Sequence, residues 1–374
     1  MRKVFLTLIT IAFGVALPLV VLEIALHFLP YNEGLVVSPM DEADSVYRFV
    51  PNRDFSYSQD WDLKNARTRH VNNVGFLSDI DYEAESTAPL LAIIGDSYIE
   101  AIQVDWSETA QGRLAAELGD DMRVYGFGAA YAPLSQYVVW SRYVAQTFDP
   151  DMLVVNVVGN DFDESLMPDD LQPGQRGMTF FTDVGDGTLA LTPTPREAES
   201  FVRQALRQSA LVAYLYRNLQ VGALPQMLAQ RTTSTDEGEA LYAGNTAAEA
   251  SAERLDRSYL AVDQFLRLLP LESGLRPEEI LITLDGLRPE LYDPERLAAA
   301  QDSYAAQMMA FLWTKAASQG FEVINLQPLF IAHHEETRER FEFPFNNHWN
   351  ATGHAILADA IRDSATFARV FGER

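Results

Sequence analysis

The chain has 374 residues, 48% of them hydrophobic, which is enough for one large domain with an appendage. Its 28 basic and 53 acidic residues give a net charge of −25. A charge of this sign disfavours binding to nucleic-acid phosphates and docking of the soluble part on anionic lipid. It is also ordinary for a protein from a saline habitat. It contains no cysteine, so disulfides, thiolate metal sites and cysteine nucleophiles are excluded.

The first predicted element is a membrane anchor. Met1-Arg2-Lys3 precedes an apolar stretch, residues 4–29, in which the ionisable residues are Glu23 and His27. The stretch is as long as the roughly 20 residues that a helix needs to cross a bilayer, and longer than the core of an ordinary signal peptide. Basic residues before it and acidic residues after it predict a cytoplasmic N-terminus, with residues 31–374 outside. A cleaved signal peptide is the alternative.

After the anchor, residues 1–30, we expect an irregular or lightly structured lead-in over residues 31–88 and then an α/β domain over residues 89–374. Five short apolar runs predict buried strands: Leu90–Ile94, Met122–Phe127, Met152–Val158, Ile280–Leu284 and Phe321–Leu326. Amphipathic segments predict helices: Thr109–Leu118, Ser135–Phe148, Ala252–Leu269, Pro294–Gln319 and Ala351–Phe367. Alternating strands and helices predict a parallel sheet covered by helices on both faces, a three-layer α/β/α sandwich.

Residues 161–275 are far longer than one crossover between strands needs, and they predict an insertion. Within it, Phe180–Leu191 predicts a hairpin around Gly185-Asp186-Gly187, and Glu197–Leu219 predicts a helix. Thr232–Ala250 is rich in Thr, Ser, Gly, Glu and Ala, which is the composition of a mobile linker.

A candidate nucleophile follows the first predicted strand, in Gly95-Asp96-Ser97-Tyr98. A serine in a sharp strand-to-helix turn exposes its hydroxyl at a helix N-terminus, where the helix dipole favours a developing alkoxide. Ile99 occupies the place of the second glycine in a Gly-x-Ser-x-Gly elbow, so the lipase-type α/β-hydrolase fold is disfavoured. A serine that only caps the helix is the structural alternative.

Two more polar clusters suggest partners for this serine, since ligands bind at the carboxyl ends of parallel strands. In Gly159-Asn160-Asp161, which follows the third predicted strand, the Asn160 amide can donate to an oxyanion, although Asn and Asp are also ordinary turn formers. In the segment 346–350, His348 stands just before the last predicted helix, for which Asn350 is the expected N-cap. His348 is the candidate general base toward Ser97.

In this order, the three clusters resemble the SGNH hydrolase superfamily, also called GDSL-like esterases. The resemblance implies that Ser97 is the nucleophile and an oxyanion donor through its N–H, that Asn160 is the oxyanion-hole asparagine and that His348 is the catalytic histidine. It also implies a flavodoxin-like sheet.

Three further segments are similar to those of membrane-anchored bacterial members: Leu22–His27, Val71–Phe76 and Glu100–Val104. That similarity implies a periplasmic location for residues 31–374.

The chain departs from the family at the block that completes the oxyanion hole with a glycine N–H. The corresponding stretch is Gly126–Pro133, in which Gly128 or Ala130 can take that place, because a backbone donor does not require glycine.

A second departure is the missing acid. The family usually has Asp three residues before the histidine, or two before it in some acetyltransferase relatives, and Phe345 and Asn346 stand there. The histidine is then oriented by Asn346, by a backbone carbonyl, or by a carboxylate from elsewhere such as Glu342 or Asp161.

These residues imply a serine esterase or O-acyltransferase, acting for example on an O-acetyl group of an envelope or exported polysaccharide, with no metal and no cofactor. Asp96, Tyr98 and Trp349 are candidates to line the substrate site. The absent acid motivates an alternative, a non-catalytic module of the same fold that binds a glycan or an envelope assembly partner. An unrelated enzyme that handles phosphate is disfavoured, because there is no Gly-rich phosphate loop with a Lys.

Overall fold

The computed structural model of the chain describes residues 2–40, 45–185, 187–223, 242–288, 290–344 and 346–372. The helices are α1 Arg2–Leu26, α2 Ser97–Glu100, α3 Ala110–Leu118, α4 Leu134–Phe148, α5 Phe201–Gln208, α6 Ala210–Ala213, α7 Ala252–Ser273, α8 Pro294–Ala300, α9 Tyr304–Ser318, α10 Gln327–Thr337, α11 Ala351–Arg362 and α12 Ala365–Phe371. The strands are β1 Arg53–Gln59, β2 Lys64–Val71, β3 Leu90–Gly95, β4 Arg123–Gly128, β5 Met152–Val157, β6 Thr179–Asp183, β7 Leu189–Pro193, β8 Tyr242–Ala243, β9 Thr246–Ala247, β10 Ile280–Leu284, β11 Glu322–Asn325, β12 Glu342–Phe343 and β13 Asn346–Trp349.

A five-stranded parallel sheet forms the centre of the molecule, in the order β11-β10-β5-β3-β4. Alternate residues of β3 enter opposite cores. Ala92 and Ile94 pack with α4, α7 and α9, whereas Leu91 and Ile93 pack with α3 and α11. Since both faces are covered by helices, the central strands β3, β5 and β10 are apolar except for Asn156 and Thr283, which are hydrogen-bonded to each other at 3.0 Å. The predicted three-layer α/β fold with a parallel sheet is confirmed.

The lead-in is more ordered than expected. It contains the antiparallel hairpin β1–β2, which places Phe55 and Tyr57 in the same core as α4. The prediction of an irregular or lightly structured segment did not include this hairpin, because β2 carries few apolar residues and owes its conformation to pairing with β1 and to packing. In the insertion, the predicted hairpin is confirmed as β6–β7, with Asp186 outside the described residues.

Three predicted helices are each interrupted: Glu197–Leu219, Pro294–Gln319 and Ala351–Phe367. In each case a serine caps a new helix by accepting a hydrogen bond from the backbone N–H of the third residue of that helix: Ser209 for α6, Ser303 for α9 and Ser364 for α12. A serine that competes for backbone amides in this way favours a helix start over a helix interior.

The predicted linker Thr232–Ala250 is wrong in its second part, and its residues 232–241 lie outside the described residues. Residues 242–247 form the β8–β9 hairpin, whose turn residues Gly244 and Asn245 have φ of 58° and 69°. Gly-Asn is a turn signal for such a hairpin. The hairpin packs on the loop after β5, since a Cβ on Gly159 would lie 1.9 Å from the Gly244 carbonyl oxygen.

At the N-terminus, Lys3–Leu26 is long and apolar enough to cross a membrane by length and composition. The apolar side chains of residues 4–22 are exposed along this helix. By length, composition and exposure this helix is a candidate for a membrane span or for a signal sequence.

Candidate active site

Two glycines bring the candidate nucleophile close to the sheet. Ser97 is the first residue of α2, directly after β3, and Asp96 caps this helix by accepting from the Tyr98 N–H at 3.0 Å. A Cβ on Gly95 would lie 2.4 Å from the Ile99 side chain, and one on Gly128 would lie 2.3 Å from the Glu100 nitrogen. The short helix can therefore begin tightly at the sheet edge only because these two positions lack a side chain.

The structure brings Ser97 and His348 together. His348 lies on β13, which leads into α11, and its Nε2 is 2.8 Å from Ser97 Oγ. The expected N-cap Asn350 accepts from the N–H groups of Thr352 and Gly353, which fixes the start of α11 just behind the histidine.

The hydrogen bonds of Asn346 determine the tautomer of His348. Asn346 Oδ1 accepts from the backbone N–H of His348 at 2.9 Å, so this atom is the amide oxygen. The same oxygen contacts His348 Nδ1, which must then carry the proton. Nε2 is left as the acceptor that faces the Ser97 hydroxyl, as a general base requires.

Neither of the two carboxylates considered for this role contacts the His348 ring. Glu342 accepts from the Tyr292 hydroxyl and from Arg340. Asp161 accepts from the Tyr137 hydroxyl at 3.0 Å and from a backbone N–H at 2.9 Å. Of the orienting groups proposed from sequence, Asn346 is the one in place.

The electrostatic surroundings keep the histidine neutral. Burial, together with the positive charge of Arg288, lowers the pKa of His348 to about 4. At neutral pH the imidazole is therefore free to accept a proton, although the imidazolium that it would form is less stable than in water. This is the expected consequence of an amide in the place of a carboxylate.

Sequence reasoning missed a buried ion pair that holds the two neighbours of the histidine. Asp285 and Arg288 follow β10 and pair at 2.7 Å. Arg288 donates to the Asn347 carbonyl at 3.1 Å and to the Tyr98 hydroxyl at 3.0 Å, and the Trp349 indole N–H donates to Asp285 at 3.0 Å. The signal was present, because Asp285 stands at a strand end like the other candidates.

Asp96, Tyr98 and Trp349, the candidates to line the substrate site, are packed around Ser97 and His348, and Asp96 accepts from the Ser97 hydroxyl at 3.2 Å. All three are buried, and Trp349 is only 1% exposed. The Tyr98 hydroxyl donates to the Asn347 carbonyl and accepts from Asn245 of the β8–β9 hairpin. Their polar atoms are engaged within the protein, which disfavours direct contact with substrate, and their role in lining the site stays a prediction.

The candidate oxyanion donors differ in how free they are. The Ala130 N–H donates to the buried Glu100 carboxyl, which disfavours Ala130 as an oxyanion donor. Asn160 donates to Glu164 at 3.0 Å, which uses one of its two amide protons. The Ser97 N–H belongs to the first residue of a helix and has no acceptor within that helix. Gly128 stays a prediction.

Burial raises the pKa of several carboxyls close to this edge. Burial, and then the charge of Asp96, raises the pKa of Glu100 to about 8, and burial raises the pKa of Glu164 to about 7. Burial also raises the pKa of Asp96. Among the described residues, no group of three or more His, Asp or Glu side chains is arranged to hold a metal ion.

Neither a protein-family sequence model nor a curated protein sequence matches the chain. Its structure is similar to a lipolytic protein of the G-D-S-L family from Veillonella parvula, at 11% identity, covering 75% of this chain and 99% of that chain with a TM-score of 0.38. It is also similar to a GDSL-like lipase from Bacteroides thetaiotaomicron (11%, 75% and 90%, 0.36) and to the acetyl xylan esterase AlAXEase (12%, 74% and 99%, 0.38).

The first two of these proteins carry the GDSL name of the family that the sequence clusters resemble. Identities and TM-scores this low say nothing about the chemistry of this chain, which has to be inferred from the site itself.

Proposed function

We propose that the protein is a membrane-anchored serine esterase or O-acyltransferase in which Ser97 is the nucleophile and His348 the general base. The observation that carries this proposal is the 2.8 Å contact between Ser97 Oγ and an Nε2 that the Asn346 oxygen leaves unprotonated. A serine that only caps a helix needs no imidazole at its hydroxyl.

The groups at this site can carry out both halves of an acyl transfer, the formation and the removal of an acyl-enzyme. Ser97 Oγ bonds to the carbonyl carbon while its proton moves to His348 Nε2 and the carbonyl oxygen becomes an oxyanion. The Ser97 N–H and the second amide proton of Asn160 stabilise this oxyanion, with the Gly128 N–H as the third proposed donor. The ester C–O bond then breaks, and the leaving alcohol takes the proton from Nε2.

The same steps in reverse remove the acyl group from Ser97. Water or an acceptor hydroxyl gives its proton to Nε2 and attacks the acyl-enzyme, which yields a free acid or a new ester and restores the Ser97 hydroxyl. Hydrolysis and transfer differ only in which of these two nucleophiles reaches the carbonyl.

An asparagine in place of the acid need not abolish this chemistry. In a serine protease the Asp-to-Asn change costs about 10⁴ in kcat, largely because the histidine takes the wrong tautomer. Here a backbone N–H orients the Asn346 amide so that its oxygen meets Nδ1 and the correct tautomer is kept. The loss is then limited to the electrostatic support of the imidazolium. The non-catalytic binding module was motivated by the missing acid, and this contact weakens that motivation.

For the substrate we propose an acylated carbohydrate outside the cytoplasm, with α1 in the membrane. Tyr131, in the loop after β4, is an exposed aromatic residue at the sheet edge where Ser97 lies. Its φ of 68° is a strained conformation for a non-glycine residue, and such strain concentrates at functional sites. We propose that its ring, and not that of the buried Trp349, contacts the sugar.

The test is labelling of the full-length protein in detergent with a fluorophosphonate probe, followed by peptide mass spectrometry. We expect label on Ser97 and its loss in His348→Ala, with His333→Ala, a partly exposed histidine that pairs with Glu339, as the matched control that keeps it. Folded protein that takes no label would contradict the catalytic proposal. Acetate release from an acetylated polysaccharide, with KM raised in Tyr131→Ala, tests the substrate class.

A further inference from the structure

A short amphipathic helix of the insertion presents an apolar face to solvent. In α5, eight residues long, Phe201, Val202 and Leu206 are 83%, 65% and 52% exposed. At 100° per residue these three side chains share one side of the helix, and Arg203 and Arg207 lie on the other. A basic amphipathic helix with exposed Phe, Val and Leu has the pattern of helices that lie in a membrane surface.

The end of the anchor helix is fixed to this part of the insertion. The carboxylate of Glu23, near the end of α1, accepts from Ser209 Oγ at 2.7 Å and from the N–H groups of Ala210 and Leu211 at 2.9 Å each. Ser209 directly follows α5. At 1.5 Å per residue, the whole of α5 therefore lies within about 12 Å of this contact along its axis.

A second set of contacts fixes the lead-in to the same place. Asn218, in the π-helical turn after α6, accepts from the Asn32 N–H at 2.9 Å and donates to the Ser58 hydroxyl at 3.0 Å. Arg217 donates to the Glu33 carbonyl. The chain that leaves the anchor is thus fastened to the hairpin β1–β2 and to the insertion.

Exposed aromatic side chains surround this junction. Phe28 follows the anchor, Trp61 stands at the turn of the β1–β2 hairpin, and Tyr216 lies in the π-helical turn. The Trp61 carbonyl accepts from the Tyr214 hydroxyl at 2.6 Å, which holds the hairpin turn against the insertion. Trp and Tyr are enriched where proteins meet the headgroup region of a bilayer.

Arginines stand among the acidic residues at this junction. Burial, and then the charges of Arg207 and Arg53, lower the pKa of Arg217, Arg203 is on the polar side of α5, and Arg207 pairs with Glu199 at 3.4 Å. Basic side chains near a membrane surface attract anionic lipids by about 1 kcal/mol each. The overall acidity therefore does not prevent this side of the protein from lying on lipid.

We infer that α5, with the aromatic side chains at the junction, lies in the interface of the bilayer that α1 crosses. The inference rests on the proposed membrane anchor and adds a second contact that fixes the orientation of the catalytic domain. A second copy of the chain is a poorer occupant, because three side chains offer far less than the roughly 800 Å² per partner of a stable protein interface.

The absence of cysteine allows a direct test in the full-length protein, reconstituted in vesicles of phosphatidylcholine and phosphatidylglycerol. Single variants Val202→Cys and Leu206→Cys carry a nitrobenzoxadiazole dye, with Gln204→Cys on the polar side of the same helix as the matched control and Val15→Cys as the reference within the span. We expect blue-shifted emission and quenching by brominated lipid at 15, 202 and 206, and quenching by aqueous iodide at 204.

The outcomes separate this inference from the anchor. Lipid quenching at 15 but not at 202 and 206 overturns the inference and leaves the anchor standing, whereas no lipid quenching at 15 contradicts the anchor itself. A blue shift at 206 without lipid quenching means that protein, and not lipid, covers α5, and this result also overturns the inference. Adding Glu23→Ala should reduce lipid quenching at 206 and leave it at 15, and unchanged quenching at 206 refutes the role given to Glu23.

Discussion

Replacing Asn346 by Asp returns a carboxylate to the histidine without moving the backbone. The oxygen that accepts from the His348 N–H at 2.9 Å and contacts Nδ1 would be kept, and a negative charge would be added to it. An opposite charge at this distance raises a pKa by about 1–3 units. The pKa of His348 should therefore rise from about 4 to between about 5 and 7.

The expected gain in rate follows from the same shift. Each pKa unit corresponds to about 1.36 kcal/mol in favour of the imidazolium, so the transition state gains about 10-fold to 1,000-fold in kcat/KM at neutral pH. The reference loss of about 10⁴ for the opposite change in a protease bounds this gain from above.

The assay is hydrolysis of p-nitrophenyl acetate as a function of pH. A histidine acts as a general base only when its imidazole is neutral, so kcat/KM rises with pH as the histidine loses its proton. The midpoint of this acid limb should lie at about pH 4 in the natural protein and between about pH 5 and 7 in Asn346→Asp. Asn346→Ala, which lacks the acceptor, should be less active than the natural protein. An acid limb that stays in place in Asn346→Asp, or a rate that does not increase, would refute the roles given to Asn346 and His348.

Two further predictions concern buried charges. Arg288→Met should lower kcat with little change in KM, because the group that holds the Asn347 carbonyl is lost, and should move the acid limb of the pH profile above about 4, because the cation that lowers the His348 pKa is lost. Arg288→Lys should restore part of the rate. An unchanged pH profile would make Arg288 purely structural. The pKa of Glu100 is raised from 4.5 to about 8, so the contribution of this carboxyl to stability is complete below pH 4.5 and is lost as the pH rises through about 8. The Tm of Glu100→Gln should therefore increase relative to that of the natural protein as the pH rises across that range. A difference in Tm that does not depend on pH would contradict a buried, protonated carboxyl at this position.

The membrane contact inferred for α5 gives the acidic surface a physical context. The chain as a whole has a net charge of −25 and is repelled by anionic lipid, whereas the arginines near the anchor are attracted to it. Together with the exposed apolar face of α5, these arginines favour one orientation of the domain over the bilayer.

The sequence alone determined the central sheet and the residues that end its strands. A buried parallel strand is apolar on both faces, so runs such as Leu90–Ile94 and Ile280–Leu284 are visible without any tertiary information. Because the carboxyl ends of such strands meet at one edge, Ser97 and Asn160 were predicted at that edge, and the cluster before the last helix suggested His348.

Tertiary structure decided what surrounds these residues. Whether Asn346, Glu342 or Asp161 meets the histidine depends on which competing partner each carboxylate finds, and Tyr292 and Tyr137 hold the two acids away. Tertiary contacts also decide that residues 53–71 form the β1–β2 hairpin, which is held by strand pairing and by packing on the core.

The same is true of contacts between segments far apart in the chain. Trp349 is buried because its indole N–H finds Asp285, and Glu23 lies at the end of an apolar helix because its charge is met by the N–H groups that begin α6. Local patterns record the hydrophobicity of a segment, whereas a hydrogen bond between distant segments leaves no periodic trace in either of them. For that reason the sequence could indicate Ser97 and His348 as partners and offer Asn346 among several groups to orient the histidine, whereas only the fold selected among those groups.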